Sequence, residues 1–303
     1  MSCHGTVYTG RNNIFTIGTA DGLFLCRIKG KVLALDERAY NPLAPGDRVE
    51  VSLDESAGEG VILSRLPRRN AFSRYNTKRS AEQTIAANID LVVVVASATD
   101  PAFLPDFVDR ATVLADRADA EVLVAVTKRD LDPQAAMELA QTYERLGFGS
   151  VAISPEEGAA ELRPHLVGHR SVFVGQSGVG KSTLINALLG SDLQATGAIS
   201  KRYASGRHTT NASQLIAGDS FELIDTPGVR ALDCRHLESD SLDLHFPEFH
   251  QFIDHCGHAN CQHDSEPGCS VRAAVADRCI PTFRFQSYLR ILREIRVREE
   301  SDW

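Results

Sequence analysis

Gly175-Gln176-Ser177-Gly178-Val179-Gly180-Lys181-Ser182 decides how the rest of the chain is read. It fills every fixed position of G-x-x-x-x-G-K-[ST]. Phosphate oxygens need several donors at close range. Glycines let successive backbone N–H groups turn inward, and the helix that follows adds its positive N-terminal end. Lys181 is placed for the β- and γ-phosphates and Ser182 for magnesium, while Thr183 continues the helix start. The flanks agree with this reading: the apolar strand Ser171–Val174 feeds the turn, and Leu184–Leu189 is helical after it. A chance glycine-rich turn has no reason to carry both.

Around this loop the apolar pattern alternates between short β-branched runs and helical spacing. Leu91–Ala96, Val122–Val126, Val151–Ile153 and Phe221–Ile224 read as strands. Phe103–Ala118, Pro133–Leu146 and Glu156–Leu166 read as helices, the second stopped at Gly147. The alternation predicts a doubly wound, mostly parallel α/β sheet.

Two more motifs end strands of that sheet. Asp225-Thr226-Pro227-Gly228 offers a carboxylate to a magnesium shell and the Gly228 amide to a γ-phosphate. Thr127-Lys128-Arg129-Asp130 resembles N-K-x-D: Asp130 accepts from the guanine N1–H and exocyclic amine, and the Lys128 stem covers the base. Thr127 stands where Asn is usual and offers fewer hydrogen bonds. Ser154 lies where a supporting base-contact loop belongs, with Pro155 after it where Ala is usual. In ordinary small GTPases the phosphate loop comes first and the base reader last. Here Asp130 precedes Gly175, so the chain is circularly permuted, as folded termini that lie close together permit. The Asp225 switch then runs straight into the C-terminal region.

Residues 191–212 are polar, lack an apolar period and read as a mobile loop. Thr209 or Thr210, with Thr210 favoured, closes over magnesium and the γ-phosphate. Val229 occupies the place of a water-orienting Gln and cannot hydrogen-bond water. His208 is the candidate for orienting the attacking water. Hydrolysis is expected to be slow until a partner orders the loop.

The remaining sequence supplies two appendages. Residues 1–69 carry the short runs Val7-Tyr8, Asn13–Ile17, Leu23–Ile28, Lys31–Leu35 and Val49–Leu53 between turn residues, which predicts a small β domain, either sandwich or barrel. A cationic stretch with Arg65, Arg68, Arg69, Arg74, Lys78 and Arg79 reads as a linker, or as a polyanion contact. Residues 70–232 hold the nucleotide motifs, and 233–303 form a mostly helical C-terminal domain over Phe246–His255, Val271–Cys279 and Thr282–Arg298. Cys256, Cys261, His263 and Cys269 offer three thiolates and an imidazole, the donor set of a closed, structural tetrahedral zinc site. His255 and His258 are rival ligands. Arg284, Arg290, Arg293, Arg296 and Arg298 line the last helix as a solvated face or an RNA-contacting edge.

Composition excludes other classes. The 303 residues are 43% hydrophobic and 24% charged, ordinary for a globular protein, with a net charge of −8 that disfavours non-specific nucleic-acid binding by the whole surface. The longest apolar run is too short for a bilayer, and no secretion signal is evident, so a cytoplasmic chain without membrane partners is expected. Seven cysteines, four of them after residue 250, fit a clustered metal site in a reducing compartment better than a disulfide framework.

The permuted order, Gly206–Thr210, the D-T-P-G-V block and the Cys-x4-Cys-x-His-x5-Cys cluster together resemble the RsgA (YjeQ/YloQ) family of small ribosomal subunit biogenesis GTPases, over essentially the whole chain. The resemblance implies an N-terminal OB-fold barrel, a permuted GTPase core, and a C-terminal zinc domain. It also implies GTP with Mg2+ as ligand, one structural Zn2+, and a monomer acting on the small subunit and its RNA in late maturation. The family's catalytic histidine falls on His208. An RNA-binding scaffold that uses GTP as a structural ligand is the alternative, favoured by Val229. Asp130 disfavours an ATP enzyme, and four protein ligands disfavour a zinc hydrolase.

Overall fold

The computed structural model describes residues 2–11, 13–28, 41–54, 58–154, 158–196, 213–227, 229 and 231–301, with the backbone alone over 191–196. The first five strands, β1 (Ser2–Arg11), β2 (Ile14–Thr19), β3 (Gly22–Ile28), β4 (Arg48–Asp54) and β5 (Glu59–Arg65), close into a barrel in the order β1-β2-β3-β5-β4. Closure comes from antiparallel pairing of β1 with β4, Ser2↔Ser52 to Thr6↔Arg48. This decides between barrel and sandwich, and the order is the Greek-key arrangement of an OB fold. Val7, Ile17, Cys26, Val49, Val51 and Ile62 fill the interior. The expected strand Lys31–Leu35 lies outside the described residues.

The cationic linker expected after the barrel is instead a hairpin, β6 (Ala71–Asn76) with β7 (Ala81–Ala87). Several cations of the stretch have partners within the fold, while Lys78 and Arg79 stay exposed in the hairpin turn. Arg68 makes a two-pronged contact with the fully buried Asp47, at 2.7 and 2.8 Å, and Arg69 binds Asp90 at 2.6 Å. Arg74 donates to the Ala231 carbonyl at 2.9 Å.

The central sheet comprises β8 (Leu91–Ser97), β9 (Glu121–Thr127), β10 (Gly149–Ala152), β11 (Arg170–Gly175), β12 (Gln214–Ala217) and β13 (Glu222–Asp225), in the order β10-β9-β8-β11-β13-β12. Only β12, an edge strand that the sequence reading omits, runs antiparallel. All of β8 is buried, as a strand covered on both faces must be. On one face lie α1 (Pro105–Arg117) and α2 (Pro133–Arg145), each opened by a proline whose missing N–H is an orphan there anyway. The Asp132 carboxylate also caps α2 by accepting from the Ala135 amide at 3.0 Å. The opposite face holds α3 (Gly158–Leu166) and α4 (Lys181–Thr196), packed through Leu162, Leu166, Leu184 and Leu188. Helix α4 runs to Thr196, into the stretch expected to be loop.

The C-terminal region begins with a 3-10 turn at Ser239–His245, and a second at Pro247–Phe249 opens the stretch Phe246–His255, where a continuous helix is expected. It continues through α5 (His250–Ile253), α6 (Ser270–Ala276) and α7 (Thr282–Ser301). Its apolar side chains, among them Phe246, Phe249, Ile291 and Ile295, join the same buried cluster as Val92, Val94 and Leu114 of the sheet face. Among the described residues, no helix is long and apolar enough to cross a membrane.

Candidate functional site

Strand β8 has β9 on one side and β11 on the other, so the chain reverses its direction of travel between them. Ligands of open α/β sheets bind at that point, beyond the carboxyl ends of the strands. The glycine-rich loop leaves β11 here. A Cβ on Gly175 would meet the Val95 carbonyl at 2.7 Å, so glycine lets β11 finish beside β8. Gly180 has φ +90°, which glycine adopts without steric penalty, and its carbonyl accepts the Leu184 amide at 2.9 Å to begin α4. Val179 is buried, Gln176 half-buried, and Ser177, Gly178, Ser182 and Thr183 are exposed around the mouth. Lys181 is held against the Asp225 carboxylate at the end of β13. Thr226 is buried and donates to the Phe173 carbonyl at 2.6 Å, which ties this second motif to β11.

The base-reader segment reaches the same mouth from β9. Thr127 is fully buried, with its hydroxyl 2.5 Å from the Val179 carbonyl and 3.0 Å from the Ala96 carbonyl. One hydroxyl therefore joins the base-reader turn to the phosphate loop, although 52 positions separate them. The hydroxyl carries one proton, so it donates to one of these carbonyls at a time, and the shorter contact, to Val179, is the bridge. Lys128 has φ +63°, a strained conformation for a side-chain-bearing residue, and its ammonium contacts the Asp100 carbonyl. Asp130 is exposed beside it, and the Arg129 amide donates to the Ile153 carbonyl at 3.2 Å, one residue before the half-buried Ser154. Val229 is buried at 7% exposure. His208, Thr209, Thr210 and Gly228 lie outside the described residues.

The second site is a cluster in which one donor atom each from Cys256, Cys261, His263 and Cys269 lies within 4.8 Å of the others. His255 and His258 are not part of it. His263 Nδ1 is 3.6 Å from the Cys256 sulfur and 3.4 Å from the Cys269 sulfur. A tetrahedral zinc with ordinary bond lengths separates such donors by roughly 3.6 Å, so these residues fit that ion. Burial pushes Cys261 up to about 12. It also raises Cys256, but there the Ser270 and Val271 amides outweigh it and hold that thiol below the ordinary range. A bound metal displaces thiol protons outright. The Asp243 carboxylate, 3.3 Å from His263 Nε2, fixes the imidazole so that Nδ1 faces the sulfurs. The sequence reading missed Asp243, since no motif relates it to His263.

A phosphate loop at the sheet's reversal point, bridged to a base-reader turn that precedes it in the chain, defines a circularly permuted P-loop nucleotide-binding protein. The family model for the RsgA GTPase matches residues 65–235. The small ribosomal subunit biogenesis GTPase RsgA of Borreliella burgdorferi is 37% identical over 295 residues, 96% of this chain and 95% of that protein. The protein of the same name from Flavobacterium johnsoniae is 35% identical over 302 residues, 95% of this chain and 92% of its own. Among solved structures, YjeQ from Thermotoga maritima superposes with a TM-score of 0.73 at 28% identity, covering 97% of this chain and 99% of that one. YloQ, described as a circularly permuted GTPase, gives 0.72 at 26% identity over 98% and 96%. The chain belongs to the RsgA GTPase family, a family of GTP hydrolases.

Proposed function

We propose that this GTPase acts in late maturation of the small ribosomal subunit, binds the RNA of that subunit, and leaves it after a hydrolysis step that the subunit stimulates. Support for the role comes from the relatives' shared description as small ribosomal subunit biogenesis GTPases at 35–37% identity. Support for the nucleotide chemistry comes from one contact above all, the Thr127 hydroxyl on the Val179 carbonyl, which brings a base-reading and a phosphate-holding segment to one mouth.

In this reading Asp130 accepts from the guanine N1–H and 2-amine, the Lys128 stem covers the base, and Ser154 backs the contact. The amides from Gly175 to Thr183 and the Lys181 ammonium hold the phosphates. Lys181 already rests on an anion, Asp225, so nucleotide entry exchanges one anionic partner for another. Ser182, Thr210 and Asp225 are the oxygen donors that would hold magnesium, which supplies charge neutralisation on the β- and γ-oxygens when bound. Gly228 donates its amide to the γ-phosphate, and His208 orients the attacking water. The zinc cluster has four protein ligands and no open position, so its part is structural.

The test is GTP turnover titrated with purified small and large subunits separately. Stimulation by the small subunit alone is expected, and equal rates with either or neither would overturn the proposal. The buried Val229 favours one competing reading, a GTP-responsive RNA-binding scaffold. Single-turnover hydrolysis on the small subunit separates the two, since a scaffold leaves the bound GTP intact.

A further inference from the structure

Strands β9 and β10 stay in register as far as Val126↔Ala152, and the last ladder-like bond runs from the Ile153 amide to the Val126 carbonyl at 2.8 Å. Beyond it the two chains turn away, one toward Asp130 and the other toward Ser154. The side chain between them is Arg129. Its Nη1 donates to the Ala152 carbonyl at 2.8 Å. The same guanidinium forks onto Glu161 of α3, Nη1 to Oε2 at 3.1 Å and Nη2 to Oε1 at 2.7 Å. With the backbone bond from the Arg129 amide to the Ile153 carbonyl, one residue spans two consecutive carbonyls at the end of β10 and a carboxylate on the next helix.

We propose that Arg129 is a specificity-positioning residue: it holds the turn bearing Asp130 and the turn bearing Ser154 in one register, and so sets how strongly the site prefers guanine. The proposal rests on the reading of Asp130 as the guanine acceptor. Arg129 adjoins Asp130, and its guanidinium and its amide hold the carbonyls of Ala152 and Ile153, two residues and one residue before Ser154, so a shift of Arg129 is passed to both base-contact turns. A carboxylate that spans N1–H and the 2-amine is a two-point contact, and such contacts lose strength quickly when misaligned. The guanidinium's planar fork matters as well as its charge. A lysine ammonium at 129 cannot meet the Ala152 carbonyl and both Glu161 oxygens in that plane. As a half-exposed ion pair the clamp contributes little to global stability, so its loss is expected to be felt at the base.

The experiment measures dissociation constants for GDP, IDP and ADP on the full chain and on R129A, R129K, E161Q and D130A. IDP lacks the 2-amine and ADP presents neither donor in that arrangement. In R129A the preference for GDP over IDP should shrink by about three- to tenfold, with ADP binding unchanged. R129K should shrink it by less, and E161Q should do the same from the other side of the clamp without touching the arginine. If R129A and E161Q weaken GDP and IDP by one common factor, or leave both unchanged, Arg129 has no positioning role. D130A separates the two levels. If D130A abolishes the preference while R129A and E161Q spare it, the Arg129 inference alone fails. If D130A itself spares the preference, the guanine reading fails and takes the inference with it.

Discussion

Thr127 shows how much one hydroxyl can connect. It is fully buried, and both of its neighbours are carbonyls that no other side chain serves in the contacts described. Thr127→Val keeps the shape but removes the donor, which is not a conservative change for a buried hydroxyl. Leaving a buried acceptor unserved costs about 1–3 kcal/mol. Because one of those acceptors is in the phosphate loop, the loss is expected to appear both as a lower melting temperature and as weaker GDP binding in calorimetry. Weaker stability with GDP affinity intact would mean that the bridge does not shape the site. His208 makes a different kind of claim, one about chemistry alone. His208→Ala should depress subunit-stimulated turnover by up to about 10²–10⁴-fold, the range typical of a lost general base, while GTP affinity stays near the parent value. An unchanged stimulated rate would remove His208 from the reaction.

At the scale of elements, α7 is the part that departs furthest from its sequence reading. Its arginines look like a solvated face or an RNA edge, yet several of them serve as internal ties. Arg290 pairs with Asp106 at 2.9 Å, and Arg296 with Asp264 at 3.0 Å. Arg298 donates to the Leu237 carbonyl at 2.7 Å. Arg284 is fully buried, 3.0 Å from Asp109 of α1 and 2.6 Å from Glu248, with its guanidinium 4.4 Å from the centre of the Phe246 ring. From the other side, Arg110 of α1 grips both oxygens of Glu294 at 2.8 Å. Burial of Asp109 is tolerable only because the Arg284 cation and the Tyr143 and Thr112 hydroxyls crowd around the pair. Arg284→Ala therefore leaves two carboxylates buried without their cation, and should cost about 3–5 kcal/mol of stability by denaturant unfolding. A change below 1 kcal/mol would show that α7 is not anchored through this residue.

For the whole molecule, the arrangement of cores matters more than the order of segments. The barrel keeps its own apolar cluster, whereas the zinc region and one face of the sheet share a single one. The sequence reading lets the Asp225 switch run directly into the C-terminal domain, as if that domain rode on the switch. The structure shows Val229, Leu232, Cys234 and Leu237, which follow the switch, already buried in the shared cluster, with α7 fastened to α1. The sheet and the zinc region thus form one packed body. Phe249 and Tyr288, which pack around His263, belong to the same cluster. Removing zinc with a strong chelator should accordingly lower the melting temperature of the nucleotide-binding core itself, read as the temperature at which bound GDP is released. A GDP-release temperature that does not move while C-terminal helix signal is lost would separate the two.

How much was legible follows from the range of the interactions involved. Phosphate chemistry is written in short, contiguous stretches, because backbone amides, a lysine and a helix start have to be neighbours in the chain. Gly175–Ser182 and the Cys256–Cys269 cluster could therefore be read directly, and so could the reversed order of Asp130 and Gly175. Hydrophobic periodicity likewise carried the alternating strands and helices of the sheet. Contacts between distant segments leave no such trace. Barrel closure depends on β1 meeting β4, Arg68 just before the β6–β7 hairpin finds its partner in Asp47, and Asp243 reaches His263 across 20 positions. An arginine meant for water and one meant for a buried carboxylate look identical in sequence, and only the packing of α7 on α1 assigns them. Local chemistry was set by the order of residues, and partnership by the fold, because the energy of a charge or a hydroxyl depends on what surrounds it once water has been excluded.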